Sequence, residues 1–154
     1  MKTKFFAVAV VSVVCGLATF ADAEELTWRT GIGQIVQSRC AGCHGASSKE
    51  YSDWNLGEKK DAPRMDTYPA FMTFVVWPAT GAIMRRLDDG KGSAAGKAGN
   101  MYGHLGESED ERAANLAKIK SWLGEGAWNL NRWSARGEVP GITKDQLDKI
   151  KAKY

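Results

Sequence analysis

The five residues Cys40-Ala41-Gly42-Cys43-His44 decide the fold of this chain. The pattern C-x-x-C-H is an attachment site for a c-type haem. Two thiols three residues apart lie on one helical turn, where each can add to a porphyrin vinyl group, and the histidine that follows is placed to bind the iron. We therefore predict that Cys40 and Cys43 hold one covalent haem c and that His44 is the proximal iron ligand.

Three other interpretations of the same residues are weaker. A thioredoxin-like redox pair needs a βαβ pattern nearby and gives His44 no role. A tetrahedral zinc site would have to combine Cys40, Cys43, His44 and His104, two of which are adjacent in sequence. A disulfide between Cys40 and Cys43 would close a very small loop, which stabilises least by the loop-entropy argument.

The N-terminus has the form of a secretory signal peptide. Lys2 and Lys4 make a short basic region, residues 5–20 are almost entirely apolar, and Ala21-Asp22-Ala23 matches an A-x-A cleavage site. We predict cleavage after Ala23, a mature protein that begins at Glu24, and a periplasmic location.

Two other uses of this apolar segment are disfavoured. An uncleaved membrane anchor is disfavoured because the segment is short for a spanning helix. Acylation at Cys15 is disfavoured because Val14 stands where a lipoprotein signal has a small residue. We therefore predict no stable membrane insertion after signal cleavage.

The remaining chain is nearly balanced in charge. Removing residues 1–23 leaves 19 basic against 17 acidic side chains, a net charge of +2. No basic stripe stands out from the mixed charges, so we predict no nucleic-acid partner. About 130 residues make one domain by the usual size range, which we place at 24–154, and such a chain can bury a core around a haem.

The first half of the mature chain is predicted to be helical with polar connections. Apolar residues recur at helical spacing between Leu26 and Gly42, with Thr27 or Thr30 available as N-cap. Residues 45–65 are polar and predicted as a loop. The apolar stretch 68–87 is interrupted by prolines and a glycine, which predicts two short helices with a break near Trp77-Pro78.

The second half contains the best helix signal. Glycines dominate residues 88–100, which we predict as a loop. Ser108 and Glu111 then have the spacing of a capping box, and Gly124 supplies a stop. On this helix one face is predicted to carry Ala113, Leu116, Ala117, Lys120 and Leu123, with Ile119 and Trp122 flanking it.

Residues 125–154 follow the long helix as a C-terminal extension that contains Trp128 and Trp133. We predict that these tryptophans pack on the core. A last helix, capped by Thr143, is predicted to run to Tyr154. The domain is thus divided into a core, 24–124, and the extension. No strand alternation is convincing, so the predicted class is all-α.

The second axial ligand of a haem iron decides much of its function. The candidates after the motif are Met65, Met72, Met84, Met101 and His104. Met84 lies at a helical spacing that suits a core residue equally, and His104 would give a bis-His haem of lower reduction potential. Met101, between the glycine-rich loop and Ser108, can approach the iron from an open face. We predict Met101 as the distal ligand, with Met84 and His104 as alternatives.

These features together resemble the class I c-type cytochromes. The resemblance rests on the helix that ends in Cys40-Ala41-Gly42-Cys43-His44, on the loop methionine Met101 and on the helix from Ser108 to Leu123, and it covers about residues 28–124. It implies a cytochrome c-like fold in which the first and last helices cross beside one haem. It also implies that the motif histidine is the proximal ligand and the loop methionine the distal one. Tyr102 stands where this family often has proline.

The predicted function is one-electron transfer between redox partners, without enzymatic activity, because an iron with two protein ligands has no open position for a substrate. Carriers of this kind meet partners through weak, charge-steered contacts, and a patch for such contacts is predicted from Arg85, Arg86, Lys91 and Lys97. One alternative is a permanent cytochrome subunit of a periplasmic oxidoreductase, docked through residues 125–154. The other is a gas-binding haem protein, which requires an open distal position.

Overall fold

The described part of the protein consists of short helices, one long helix and connecting loops. Its computed structural model describes residues 24–51, 63–76, 81–91, 96–124, 128 and 144–154, and these ranges contain no strand. The predicted all-α class is confirmed. None of the helices in these ranges has the length and apolar character needed to cross a membrane. In order they are a π-helical turn Trp28–Ile32, α1 Gly33–Arg39, α2 Ala41–His44, α3 Tyr68–Met72, α4 Ala82–Leu87, a 3-10 turn Tyr102–Leu105, α5 Glu109–Leu123 and α6 Lys144–Leu147.

The N-terminal helix, which consists of the π-helical turn and α1, begins where the sequence predicts. The Thr27 hydroxyl accepts a hydrogen bond from the Thr30 N–H (3.1 Å), and the Thr30 hydroxyl accepts one from the Thr27 N–H (2.9 Å). This reciprocal cap satisfies donors that a helix start leaves open. The apolar residues of the helix, Ile32, Ile35 and Val36, are buried as expected from their spacing.

An aromatic cluster joins the N-terminal helix to α3 and α5. The centre of the Trp28 ring lies 5.5 Å from that of Phe71, 5.7 Å from that of Tyr68 and 6.1 Å from that of Trp122. Tilted and edge-on pairs at such distances contribute about 0.5–1.5 kcal/mol each beyond the area they bury. The N-terminal helix and α5 are therefore in direct contact.

The apolar stretch 68–87 forms two short helices, α3 and α4, as predicted. Pro69 lies in the first turn of α3, where its missing N–H is tolerated. Gly81 precedes α4 with a φ of 77°, a left-handed conformation that favours glycine. Residues 77–80, where the break was predicted, lie outside the described part of the chain.

The two loop predictions are only partly correct. Residues 88–91 and 96–100 have no helix or strand, as expected. Within the predicted loop 45–65, however, residues 49–51 form a helical turn, so the loop prediction is wrong there. Ser48 starts this turn, because its buried hydroxyl accepts the Tyr51 N–H (3.0 Å). Residues 52–62 are outside the described ranges.

Helix α5 starts and stops where predicted. The Ser108 hydroxyl accepts the Glu111 N–H (3.2 Å), and the helix ends at Gly124, whose φ is 88°. The second half of the capping box is displaced by one residue, since the Glu111 carboxylate accepts the N–H of Glu107 (2.8 Å) instead of that of Ser108. Both bonds still satisfy donors at the helix start.

The buried face of α5 differs from the predicted one. Ala113 and Ala117 are exposed. Ile119 and Trp122 carry more apolar area than two alanines, so turning them inward contributes more to stability. The buried residues of α5 are Leu116, Ile119, Trp122 and Leu123.

The last residues of the chain pack on the core without a helix. α6 ends at Leu147, so the predicted helix is wrong beyond that residue. The Lys153 carbonyl accepts the Trp28 N–H (2.9 Å) and the Trp122 indole N–H (2.8 Å), and the Lys151 N–H bonds to the Leu123 carbonyl (3.0 Å). The tail thus satisfies open groups at the start of the first helix and near the end of α5, which explains why its last residues are not helical.

The described part of the extension includes Trp128, one of the two tryptophans that were predicted to pack on the core. Trp128 packs against the core, with the Lys120 Nζ 4.9 Å from the centre of its ring. Trp133 and the predicted cap Thr143 lie outside the described residues.

Candidate functional site

A single helical turn carries the predicted haem-attachment residues. Cys40 precedes α2, which contains Cys43 and His44, and the His44 N–H is bonded to the Cys40 carbonyl (2.8 Å). No disulfide joins Cys40 to Cys43; Cys40 packs partly buried against the core and Cys43 is exposed. Residues three apart on a helical turn lie on one side, which is the arrangement that attachment to two vinyl groups requires.

The surroundings of Cys40 bear on the redox-pair and zinc alternatives. Burial, and to a smaller extent the neighbouring Cys43, raise the pKa of the Cys40 thiol to about 11. A protonated thiol is a poor nucleophile in thiol–disulfide exchange, which weakens the redox-pair interpretation. In the described ranges no three His, Cys, Asp or Glu side chains are placed to hold a metal ion, so the four residues of the zinc alternative form no such group.

The His44 imidazole is buried and held in one orientation. Its exposed fraction is 8%, and its Nδ1 lies 2.9 Å from the Pro63 carbonyl oxygen. A carbonyl can only accept, so Nδ1 carries the proton and the neutral ring has its lone pair at Nε2. This tautomer is the one that an iron ligand needs. The two thiols and the oriented imidazole therefore fit a covalent haem c.

The segment 63–66 is fastened to the motif on both sides. The Met65 N–H bonds to the His44 carbonyl (2.9 Å), and the Ala46 N–H bonds to the Asp66 carboxylate (3.1 Å). The Gln37 side-chain amide donates to the Asp66 carbonyl (2.7 Å). Sequence reasoning missed these roles, because they depend on backbone groups that every residue has and on contacts over 20 or more positions.

The glycine after the motif is required by a close approach. The Gly45 N–H bonds to the Ala41 carbonyl (2.8 Å), and a Cβ at position 45 would lie 2.5 Å from that oxygen. A side chain there would push the chain away from the end of α2. The turn that leads from His44 to Ser48 is thus specified by one residue.

The distal candidates occupy different positions. Met101 is half-buried, packs against the core and precedes the 3-10 turn. Met84, on α4, is 2% exposed and belongs to the core, and His104 is exposed. Met65 is buried and Met72 half-buried. Met101 and Met84 therefore adjoin the same apolar cluster, whereas His104 does not.

The backbone around Met101 is tied to the end of α4. The Met101 N–H bonds to the Arg86 carbonyl (2.9 Å), and the Gly99 N–H bonds to the Asp88 carbonyl (2.7 Å). A Cβ at Gly99 would collide with the carbonyls of residues 85 and 86. The glycine lets the loop approach α4 closely enough for these bonds to form.

Tyr102 anchors the same turn on its other side. The buried Tyr102 hydroxyl donates to the Glu109 carboxylate (2.6 Å), which also accepts from the Arg112 guanidinium (3.1 Å). The hydrogen bond to Glu109 raises the pKa of Tyr102 and lowers that of Glu109. A buried, bonded tyrosine thus restrains the chain directly after Met101, where proline is common in class I cytochromes.

Basic side chains surround the loop that carries Met101. Arg86, Lys91 and Lys97 are exposed, and Arg85 is half-buried. Lys91 Nζ lies 3.8 Å from an oxygen of Asp89. The predicted patch residues thus lie on α4 and on the loop after it.

Comparison with known proteins identifies the family of the chain. The family model of the PccH cytochromes c matches residues 27–154. The chain belongs to the PccH cytochrome c family. The match to the family model therefore extends over residues 125–154, which were predicted from the sequence to be a C-terminal extension.

A solved structure also resembles the protein. It is described as the structure of monoheme cytochrome PccH from Geobacter sulfurreducens, with 43% sequence identity and a TM-score of 0.65 over 84% of this chain and 99% of the other. A search of curated proteins found no match. As a monohaem cytochrome c of the PccH family, the protein carries one covalently bound haem c and serves in electron transfer with redox partners.

Proposed function

We propose that the protein is a periplasmic carrier that passes single electrons between redox partners, with His44 and Met101 as axial ligands. The observation that carries the proposal is the buried His44 ring, oriented by the Pro63 carbonyl. A methionine turn held by bonds to α4 and α5 supports it. When bound, the haem supplies an iron that changes between two oxidation states by one electron.

Burial favours Met101 over the two alternatives Met84 and His104. The Met84 side chain is enclosed by the core, where its withdrawal would leave a cavity. His104 is exposed and has no contact with the apolar cluster among those described. Met101 lies at the margin of that cluster, on a turn with fixed backbone, so its thioether can ligate without opening the core.

Two protein ligands favour a carrier over a catalyst, because they leave no iron position for a substrate. We expect slow or absent binding of carbon monoxide to the ferrous protein at neutral pH. Rapid binding, followed by optical spectroscopy, would contradict this part of the proposal and favour a gas-binding function.

The periplasmic location rests on the signal-like segment 1–23 and on the chemistry of haem attachment, which in bacteria takes place outside the cytoplasmic membrane. The N-terminal residue of the mature protein tests it. We expect Glu24 in holoprotein purified from a host with a haem c maturation system. Retention of residues 1–23 would contradict cleavage after Ala23.

The partner surface is proposed to lie around the Met101 loop, where Arg86, Lys91 and Lys97 are exposed. Contacts steered by such charges weaken as ionic strength rises. Electron transfer to an acidic redox protein should therefore slow with added salt. A rate that does not change with salt would contradict a role for these charges.

The alternative is a permanent cytochrome subunit of a periplasmic oxidoreductase that docks through residues 125–154. The described end of that segment is bonded to the protein's own core through Ala152 and Lys153, which supports internal packing. A permanent subunit would copurify with a second polypeptide, whereas a carrier would not.

A redox titration with optical spectra of both oxidation states tests the proposal as a whole. We expect one reversible one-electron step. The ferric protein should also show the weak long-wavelength sulfur-to-iron charge-transfer band of methionine ligation. If the wild-type protein lacks this band, His104 becomes the leading distal candidate.

A further inference from the structure

Asp66 joins three parts of the molecule beside the proximal histidine. Its carboxylate accepts the Ala46 N–H (3.1 Å) just after the motif, and its carbonyl accepts the Gln37 amide (2.7 Å) from α1. Its other carboxylate oxygen accepts the Arg64 guanidinium (2.6 Å). The Asp66 side chain is 18% exposed, so these bonds are partly shielded from water.

These bonds lie close to the hydrogen bond that orients the histidine. The Pro63 carbonyl, which accepts from His44 Nδ1, is three residues before Asp66 in the chain. Between them, the Met65 N–H bonds to the His44 carbonyl. The position of the Pro63 carbonyl therefore depends on how firmly the segment 63–66 is held against α1 and the motif turn.

We propose that Asp66 is a positioning residue that sets the hydrogen bond between His44 Nδ1 and the Pro63 carbonyl, and through it the reduction potential of the haem. The inference rests on the proposed role of His44 as proximal ligand. In this proposal Asp66 acts through the backbone of residues 63–66 and not as an iron ligand.

The direction of the effect follows from the ligand chemistry. A hydrogen bond donated by Nδ1 makes the imidazole a stronger electron donor, and a stronger donor favours ferric iron. Release of the Pro63 carbonyl weakens that donation, so the reduction potential rises. The same release exposes the Nδ1 proton to exchange with solvent.

Three variants of the holoprotein separate hydrogen bonding from charge. Asp66→Ala removes both the acceptor of the Ala46 N–H and the negative charge. Asp66→Asn removes the charge and keeps an oxygen that can accept the bond. Glu50→Ala removes a charge from an exposed residue six positions after His44 and serves as the matched charge control. The measurements are the reduction potential and the hydrogen–deuterium exchange of the His44 Nδ1 proton by NMR.

We expect Asp66→Ala to exchange the Nδ1 proton about tenfold faster than the wild type, the factor that corresponds to loss of roughly one hydrogen bond. Its potential should lie above that of Asp66→Asn. Asp66→Asn should exchange as slowly as wild type and shift the potential no more than Glu50→Ala. Equal exchange rates and equal potentials in Asp66→Ala and Asp66→Asn would overturn the inference.

A fourth variant tests the inference if Asp66→Ala does not fold or does not mature. Gln37→Met removes the bond from α1 to the Asp66 carbonyl at an exposed position. It should also speed exchange of the Nδ1 proton, and an unchanged rate would overturn the inference. If the wild-type protein shows no Nδ1 proton of an iron-bound imidazole, the proposed ligation by His44 fails, whatever the Asp66 variants show.

Discussion

The two sides of the proposed haem site are built in different ways. On the proximal side, two cysteines and a histidine lie within five consecutive residues, and one local turn places all of them. On the distal side, Met101 is placed by backbone bonds to α4 and by Tyr102, which is bonded to α5. The residues that would hold the haem on the proximal side thus come from one local turn, whereas Met101 is placed by bonds that involve both α4 and α5.

This difference means that the two sides should respond differently to mutation. Loss of a proximal residue removes chemistry that no neighbour can supply. Loss of a distal restraint changes how firmly a turn is held, and the covalent attachment remains. An ion-pair cluster connects the sides: Arg39, adjacent to Cys40, pairs with Glu107 and Glu111 at the start of α5.

The largest effect is expected from removing the covalent attachment. Cys40→Ala combined with Cys43→Ala leaves no thiol to form a thioether, so haem should be absent from the polypeptide after denaturation in acid and organic solvent. Intact mass measurement checks this. The wild-type protein should retain the mass of one haem, and a wild-type apoprotein mass after correct maturation would contradict the prediction.

The next largest effect is expected at the distal ligand. Met101→Ala should abolish the long-wavelength sulfur-to-iron band and lower the reduction potential, because a thioether ligand raises the potential. The covalent haem should remain, which separates the two sides of the site. Optical spectra and a redox titration provide the measurement.

Two matched variants control the assignment of Met101. Met84→Ala should keep the band and lower the free energy of unfolding by about 2–5 kcal/mol, as expected for a buried methionine. His104→Ala should change neither the band nor the stability strongly. Survival of the band without Met101, together with its loss without Met84, would show that the ligand assignment is wrong.

A smaller, pH-dependent effect is expected from Tyr102→Phe. The bond to Glu109 raises the pKa of the phenol from its ordinary value of 10.0, so its stabilisation is present below that pH and is lost as pH rises through the folded-state pKa. The lowered pKa of Glu109 gives stabilisation that is present above the ordinary value of 4.5 and is lost as pH falls through the folded-state pKa. The hydrogen bond between Tyr102 and Glu109 therefore gives its full stabilisation between about pH 4.5 and pH 10.0.

The Tyr102→Phe variant should lose the sulfur-to-iron band at a lower alkaline pH and at a higher acidic pH than the wild type. A pH titration of the ferric spectrum measures both midpoints. Tyr154→Phe, at an exposed tyrosine, is the control and should leave them in place. Unchanged midpoints in Tyr102→Phe would mean that the bond to Glu109 does not restrain the Met101 turn.

The smallest effect is expected from the cluster that connects the two sides. Arg39→Gln removes the charged bonds to Glu107 (2.7 Å) and Glu111. Because exposed ion pairs contribute little and are screened by salt, the melting temperature should fall slightly at low salt and converge with that of the wild type at high salt. Lys118→Gln, at an exposed position on α5, is the control. A salt-independent loss of stability would show that Arg39 acts by packing.

Much of the fold could be predicted from the sequence where signals are local. The caps Thr27 and Ser108, the stop at Gly124 and the division of residues 68–87 into two helices are all decided within a few residues. Apart from the helical turn at residues 49–51, the predictions that were wrong concern long-range choices. The buried face of α5 was set by which side chains meet the aromatic cluster, and the C-terminal residues are held in a non-helical form by donors on Trp28 and Trp122.

The sequence by itself determined the chemistry of the protein: a C-x-x-C-H turn can hold a covalent haem c, because reactive groups at this spacing meet on one helical turn. The tertiary structure decided how that chemistry is supported. The Pro63 carbonyl that orients His44 comes from 19 residues away, the Asp66 carboxylate accepts the Ala46 N–H across 20 residues, and Tyr102 is anchored by a helix that starts after the Met101 turn. Hydrogen bonds to backbone groups that are distant in the chain have no sequence pattern, because nearly every residue carries the same amide, so only the folded structure reveals which of these groups pair.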